Sequence, residues 1–384
     1  MESQKKRTWA EVSMEKLAHN YHALRQLTPY GTKFMGLVKA DAYGHGAVPV
    51  AKKLEELGAD YLGVACLDEA IELREAGIQA PILILGCTPS FYGKELMQYN
   101  ITQACYDLSY AKALSAEAQS AGGTITVHIQ CDTGMTRLGF LCDEAHMTQS
   151  AQEITEAVRL PGLHAEGIFT HFSDSDGSEE YTMMQFNRFL DIIQKVKELG
   201  YEFAIRHCAN TGAVARYPET YLDMVRPGLL LYGYGEFAEE LNLKPVMSLK
   251  AAVSTIKTYP AGTAISYGGI YVTPHKTRIG VIPYGYADGF FRCLSNKCSI
   301  MTAEGPAPQR GKICMDMCMI DLTDKMGVDV GSEVEIFGKQ NSINDLADLA
   351  GTIPYELTCA VSKRVPRIYY RDGKVIEKEL LLRG

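Results

Sequence analysis

Phe34-Met35-Gly36-Leu37-Val38-Lys39-Ala40-Asp41-Ala42-Tyr43-Gly44-His45-Gly46 is an apolar run that ends on a lone amine and then turns through small residues and two glycines. The pattern reads as a strand that presents one lysine to a ligand. A desolvated amine loses its proton more readily, and the neutral amine condenses with a carbonyl such as the aldehyde of pyridoxal phosphate. Most lysines are solvated surface charges, so position alone does not decide. The neighbouring chain does.

Working outward, eight short apolar runs appear at 34–38, 61–65, 81–86, 101–105, 124–130, 163–169, 203–205 and 222–225. Between them Ala47 to Leu57, Leu67 to Ala76, Ser109 to Ala121, Glu144 to Val158 and Glu179 to Leu199 place apolar residues at three- and four-residue spacing. Gly58, Gly77, Gly122 and Gly200 stand just past four of those ends, where a left-handed cap is wanted. Eight strand–helix units in about 230 residues predict an N-terminal α/β domain, a (β/α)8 TIM-type barrel, with a doubly wound sheet as the alternative. The barrel is favoured by its polar residues. Lys39, Arg137, His171, His207 with Asn210, and Arg226 all follow strand C-terminal ends, which in a barrel meet on one face.

Near residue 243 the chain changes character. Ala251 to Tyr259, Ala264 to Val272, Thr277 to Tyr284, Cys298 to Ala303, Ile313 to Leu322 and Glu333 to Phe337 read as strands between glycine turns. Residues 12–242 are therefore expected to be the barrel and 243–384 a mainly β domain, against which residues 1–11 pack. A length of 384 residues suits two domains, and 46% hydrophobic residues suit a folded enzyme. A net charge of −8 without a basic run argues against nucleic-acid or anionic-membrane partners. The N-terminus has no apolar stretch after its basic residues, so a cytoplasmic location is expected. Eleven cysteines, mostly within apolar runs, suit packed thiols better than a disulfide framework. Cys314 and Cys318 lack a second ligand pair, and Asp174-Ser175-Asp176-Gly177 does not fit a calcium loop, so no metal site is expected.

The Lys39 segment resembles the cofactor-lysine segment of alanine racemases, fold-type-III pyridoxal-phosphate enzymes, and further segments follow in the family's order. They are Asp132 to Gly139, His207 to Thr211, Val225-Arg226-Pro227-Gly228-Leu229, Ser266-Tyr267-Gly268-Gly269 and Gly311 to Asp316. The resemblance implies interconversion of L- and D-alanine by two bases, Lys39 on the D face and Tyr267 on the L face, and a supply of D-alanine for peptidoglycan. It implies that Arg137 approaches the cofactor's phenolic oxygen and the substrate carboxylate, while Arg226 donates to the pyridine nitrogen. Tyr43, Thr211, Tyr355, Gly228 and Leu229 are implied around the phosphate, and His171 and Asn210 beside the cofactor. Met315 would complete the substrate site, with Cys314, Asp316, Tyr286 and Asp174 at the pocket or its entry, and Tyr355 as a wall that leaves room for little beyond a methyl group. His171 and Arg226 are expected to supply the positive charge or hydrogen bonds that make a tyrosine basic. A homodimer with shared active sites is implied.

Two departures stand out. Gln130 occupies the place of a lysine whose carbamate pairs with the arginine in many relatives, and an anion such as chloride near Gln130 and Arg137 is the expected substitute. Thr211 stands where serine is common and keeps the hydroxyl. The rival readings are a serine or broad-spectrum racemase, and a non-catalytic pyridoxal-phosphate carrier, which would lack the second domain.

Overall fold

The computed structural model describes residues 7–380 and 382. Strand β1 (Thr8–Ser13) leads into helix Met14–Leu27, started by Ser13, whose side chain accepts from the Lys16 amide. The barrel strands follow: β2 (Lys33–Leu37), β3 (Tyr61–Val64), β4 (Ile82–Ile84), β5 (Thr102–Cys105) and β6 (Ile125–Asp132). A two-residue β7 (Phe140–Leu141) extends the end of β6, and β8 (Leu163–Thr170), β9 (Ile205–His207) and β10 (Met224–Val225) complete the set. All neighbouring pairs are parallel, in the order β10-β2-β3-β4-β5-β6-β8-β9. The last gap is spanned by backbone bonds from Asp223 N to Arg206 O at 3.1 Å and from Arg226 N to Ala209 O at 2.9 Å. These bonds close the barrel around Arg226.

The predicted runs agree with these strands to within two or three residues at most ends. β9 lies two residues later than expected: Phe203 is buried outside the strand, while Ile205 to His207 carry the ladder to β8. The caps at Gly58, Gly77, Gly122 and Gly200 are left-handed, with φ of 87°, 91°, 68° and 88°. Helices Met14–Leu27, Gly93–Gln98, Ile343–Ala350 and Pro354–Cys359 lie outside the predicted set.

The second domain is built on a seven-stranded sheet in the order Gly305–Pro308, Ser299–Thr302, Glu333–Phe337, Met247–Ala252, β1, Arg367–Arg371 and Lys374–Glu379. β1 runs antiparallel to Met247–Ala252 and parallel to Arg367–Arg371, so the chain's first strand lies inside this sheet. A three-stranded sheet of Thr255–Tyr259, Thr277–Ile282 and Cys318–Asp321 packs beside it. The run predicted as one strand from 251 to 259 is two strands in two sheets, divided at Val253-Ser254. Likewise the run from 264 to 272 is broken by a tight turn at Tyr267–Gly269. All eleven cysteines are unpaired. Among the described residues no helix is long and apolar enough to cross a membrane.

The caps give a clean test, because a methyl group built on Gly122 meets no atom within 4 Å and its only cost is the left-handed backbone. Gly122→Ala is expected to lower stability by about 1 kcal/mol, read from urea unfolding, with Gly122→Asn milder.

Candidate active site

At the C-terminal mouth of the barrel a cavity of about 240 Å³ is lined by Leu37, Lys39, Ala65, Gln130, Arg137 and His171, with Phe169 and Arg226 beneath. Strand ends deliver each polar group: Lys39 two residues past β2, Arg137 from the loop after β6, His171 directly after β8 and Arg226 directly after β10. Burial lowers the Lys39 pKa, and the positive field of Arg137 lowers it further. Neither Lys39 Nζ nor the Arg137 guanidinium has a hydrogen-bond partner among the described residues, so both can turn to a ligand. Gln130 also lines the cavity with a buried Oε1 that no protein group satisfies.

Lys39 opens a turn of unusual backbone. Ala40, Asp41, Ala42 and Tyr43 all have φ between 51° and 54°, a full left-handed turn without a glycine. Each such residue costs about 1–2 kcal/mol, so tertiary contacts must hold it. Glu69 accepts from Ala40 N and Ala65 N at 2.7 Å each, tying the turn to the end of β3. Asp41 accepts from Ala47 N at 2.8 Å, and its carboxyl is pushed up to about 6 by burial. The loop carrying Arg137 is held in a similar way. The Asp132 carboxylate accepts from the amides of Gly134, Thr136 and Arg137 at 2.9–3.0 Å.

A second group of polar atoms adjoins the lysine. Gly228 N donates to Thr211 Oγ1 at 2.8 Å, and a methyl group on Gly228 would stand 3.0 Å from both Thr211 Oγ1 and the Tyr43 hydroxyl. The Tyr355 hydroxyl lies close to Thr211 and the Leu229 amide, and its ring is 5.7 Å from that of Tyr43. Three hydroxyls and two backbone amides therefore surround space that any side chain at 228 would fill, a donor set suited to a phosphate. Asn210 is anchored next to this group. Its Oδ1 accepts from Ser175 Oγ and Ala213 N and its amide donates to Phe172 O, so it caps the turn that holds Thr211. Asp174 is exposed and accepts from Ser178 N, at the start of helix Glu179–Glu198.

Beneath the cavity a chain of buried groups was not foreseen, because its members lie far apart in sequence. Arg226, 2% exposed, donates to His207 Nδ1 at 2.7 Å and to Thr170 O and Cys208 O. His207 Nε2 is 2.8 Å from His128 Nδ1, and His128 Nε2 is 3.2 Å from Glu166 Oε2, which also accepts from Tyr61 at 2.5 Å. Burial holds both histidines below their ordinary pKa, so each is neutral with one N–H. An arginine only donates and a carboxylate only accepts. Both imidazoles must therefore carry the proton on Nε2, and every link then runs from Arg226 toward Glu166. Burial also pushes Arg226 down to about 10, which keeps it charged at neutral pH. His171 is neutral for the same reason as the other two, with the fields of Arg226 and Arg137 added. A neutral imidazole there offers a hydrogen bond to a neighbouring group.

The candidates in the second domain gather elsewhere. Tyr267 is 68% exposed and lines a separate cavity with Ile265, Ser266, Cys314 and Met319. Ser266 Oγ donates to Lys312 O, Tyr286 N donates to Cys314 O, and Asp316 pairs with Arg364 at 2.8 Å, so Tyr267, Cys314, Met315, Asp316 and Tyr286 form one surface. Tyr286 and Met315 are exposed there beside Ile270, Val272 and Met317. The two cavities share no residue, and within one chain Tyr267 does not line the Lys39 site.

The Glu166 terminus generates a pH prediction. The hydrogen bond from His128 holds Glu166 down to about 2, below its unfolded value of about 4.3. Its contribution is therefore full above pH ~4.3 and disappears as pH falls toward 2. Glu166→Gln is expected to cost about 1–2 kcal/mol at pH 7 and to flatten the loss of stability between pH 4 and pH 3, measured by urea unfolding at each pH.

Residues 12–236 match the family model of the alanine racemase N-terminal domain, and residues 246–369 that of the alanine racemase C-terminal domain. Alanine racemase of Clostridium tetani is 43% identical over 378 residues, covering 96% of each chain, and that of Desulfovibrio desulfuricans is 44% identical over 366 residues, covering 94% of this chain and 97% of its own. Among solved structures, alanine racemase of Clostridium difficile 630 superposes with a TM-score of 0.94 at 39% identity over 99% of this chain and 100% of its own. The Bacillus anthracis enzyme with bound L-Ala-P gives 0.92 at 33%, over 98% and 99%. With a lysine-bearing barrel mouth, a mainly β second domain and relatives matched over almost their full length, the chain belongs to the alanine racemase family, a family of amino-acid isomerases.

Proposed function

We propose that the chain interconverts L- and D-alanine with pyridoxal phosphate held on Lys39, and that Tyr267 of a second copy supplies the opposing base. The observation that carries this reading is the convergence, on one barrel mouth, of an unpaired buried amine, two arginines and a phosphate-shaped set of hydroxyls and amides. The group fits: Tyr43, Thr211, Tyr355, Gly228 and Leu229 would hold its phosphate, and Arg226 and His171 would line the rest of its site. When bound, pyridoxal phosphate draws electron density from the substrate's Cα–H bond and makes that proton removable.

The chain's own residues do the rest. Lys39, with its pKa lowered by burial, exchanges the proton on the D face of Cα. Tyr267 exchanges it on the L face. Arg137 has no competing protein acceptor and holds the substrate carboxylate, and Gln130 turns its amide toward a bound anion such as chloride that keeps Arg137 in place. Arg226 stays protonated and would hold the cofactor's ring nitrogen as a hydrogen-bond donor, an environment that disfavours a proton on that nitrogen. Tyr355 restricts the side chain to about a methyl group, while Met315, Cys314, Asp316, Tyr286 and Asp174 shape the pocket and its approach. A barrel over residues 12–242 thus binds the cofactor and a domain over 243–384 supplies the second base.

Because Tyr267 lies exposed in a cavity apart from Lys39, the complete site is proposed to form only in a homodimer. Its exposed apolar neighbours are the kind of surface that a second subunit covers. The proposed setting is the cytoplasm, with D-alanine passing to peptidoglycan synthesis. A coupled assay run with L-alanine beside L-serine tests the substrate; comparable rates on serine would favour a broad-spectrum racemase.

Borohydride reduction of the loaded protein should fix the cofactor on the Lys39 peptide, and its recovery on another lysine would overturn the assignment. Lys39→Ala and Tyr267→Ala are each expected to lose about 10³-fold or more in activity. Unfolded and refolded together, they should regain activity, because a mixed dimer contains one site with both bases intact. Verified mixed dimers without recovery would place both bases on one chain.

A further inference from the structure

We propose that Arg367 is a positioning residue for Lys39, holding from the second domain the left-handed turn Ala40–Tyr43 that follows the lysine. The inference rests on the reading of Lys39 as the cofactor lysine. The residue types do not select this backbone, since four consecutive non-glycine residues take φ values that L side chains avoid. Besides the bonds from Glu69 and from Asp41 to Ala47, contacts from more than 300 residues away hold it.

Arg367 is 1% exposed. Its Nε donates to Gly44 O at 3.1 Å, NH1 to Ser362 O and Val365 O at 2.8 and 2.7 Å, and NH2 to Val361 O at 2.7 Å. Its nearest carboxylate is Asp41, 3.7 Å away and inside the turn itself. If the turn relaxed, a buried guanidinium would lose both its counter-charge and an acceptor, so the two features hold each other. The fit around them is close. A methyl group at Gly44 would collide with Thr358 O, and one at Gly46 with the Tyr369 hydroxyl, so the segment 358–369 lies directly on the turn.

The consequence for the site is positional. Lys39 begins the turn, and Tyr43, which stands by Thr211 and Gly228, ends it. A return to right-handed backbone would move the amine and the hydroxyl relative to each other, and cofactor binding needs both. The second domain then has two tasks: it carries Tyr267 toward another subunit and fixes the lysine of its own.

Amide hydrogen exchange on the full-length, cofactor-free protein reads the turn without depending on catalysis. Lysine keeps the charge of Arg367 but cannot reach four carbonyls from one nitrogen. In Arg367→Lys the amides of Ala42, His45, Gly46 and Ala47, bonded within the turn, should exchange about tenfold faster or more, with Ile129 and Ile168 in the barrel unchanged. Pyridoxal phosphate, titrated by absorbance, should bind about tenfold more weakly. Adding Ala40→Gly at this exposed position should recover much of both losses, because glycine takes the left-handed conformation freely. Unchanged protection at 42–47, or a loss spread evenly over the chain that Ala40→Gly does not repair, would overturn the proposal. Should Arg367→Lys not fold, Ala40→Gly alone decides: exchange about threefold slower at the same amides supports a strained turn, and unchanged or faster exchange refutes it. Recovery of the borohydride label on another lysine would reject Lys39 while leaving the exchange result intact.

Discussion

A full positive charge buried inside the barrel, the Arg226 guanidinium, is the constraint on which the rest of the site depends. An isolated ion there would cost several kcal/mol, and among the described residues no carboxylate pairs with it. Instead its N–H groups meet two backbone carbonyls and the His207 imidazole, and the negative end, Glu166, is reached through one more imidazole, His128. With both histidines neutral, the link from His128 to Glu166 is a hydrogen bond to a carboxylate and not an ion pair. The arrangement spreads charge compensation along the barrel interior. It also leaves the upper side of Arg226 directed to the cavity, where a ligand that accepts a hydrogen bond is favoured over one that donates.

Much of this was legible in the sequence, for physical reasons that differ by feature. The barrel could be read because buried parallel strands are continuous apolar runs, and because helices such as Glu179–Glu198 carry a one-sided apolar stripe and, like the one ending at Gly122, a left-handed glycine stop. The residues at strand ends could be read because a barrel converts sequence order into a ring, and the family segments then attached roles to Lys39, Arg226 and Tyr267. What could not be read depends on pairing across the fold. His128 sits in a strand of apolar neighbours and gives no sign that it will meet His207, 79 residues on. Asn210 resembles a ligand in sequence, but its carbonyl oxygen is taken by Ser175 and by the helix that follows it. The Lys39 turn is the sharpest case: Ala-Asp-Ala-Tyr does not announce a left-handed turn, and the groups that contact it, Glu69 and Arg367, lie 29 and more than 300 residues along the chain.

The placement of Lys39 and Tyr267 in separate cavities also has an electrostatic side. Lys39, Arg137 and Arg226 converge on one mouth, a concentration of positive charge that draws in an anionic cofactor and a substrate carboxylate. The Tyr267 surface is mainly apolar at its rim.

The position of β1 sets an order of events during synthesis. It is made before every barrel strand, yet its neighbours in the sheet begin at Met247 and Arg367. At about 5–20 residues per second, roughly 12–50 s separate β1 from its first partner. All eight barrel strands are complete in that interval, so the barrel can close while an unpaired strand waits at its edge. A nascent chain of this kind carries an exposed β edge for most of its time on the ribosome, and the central sheet of the second domain is sealed only when the last strands have left the exit tunnel.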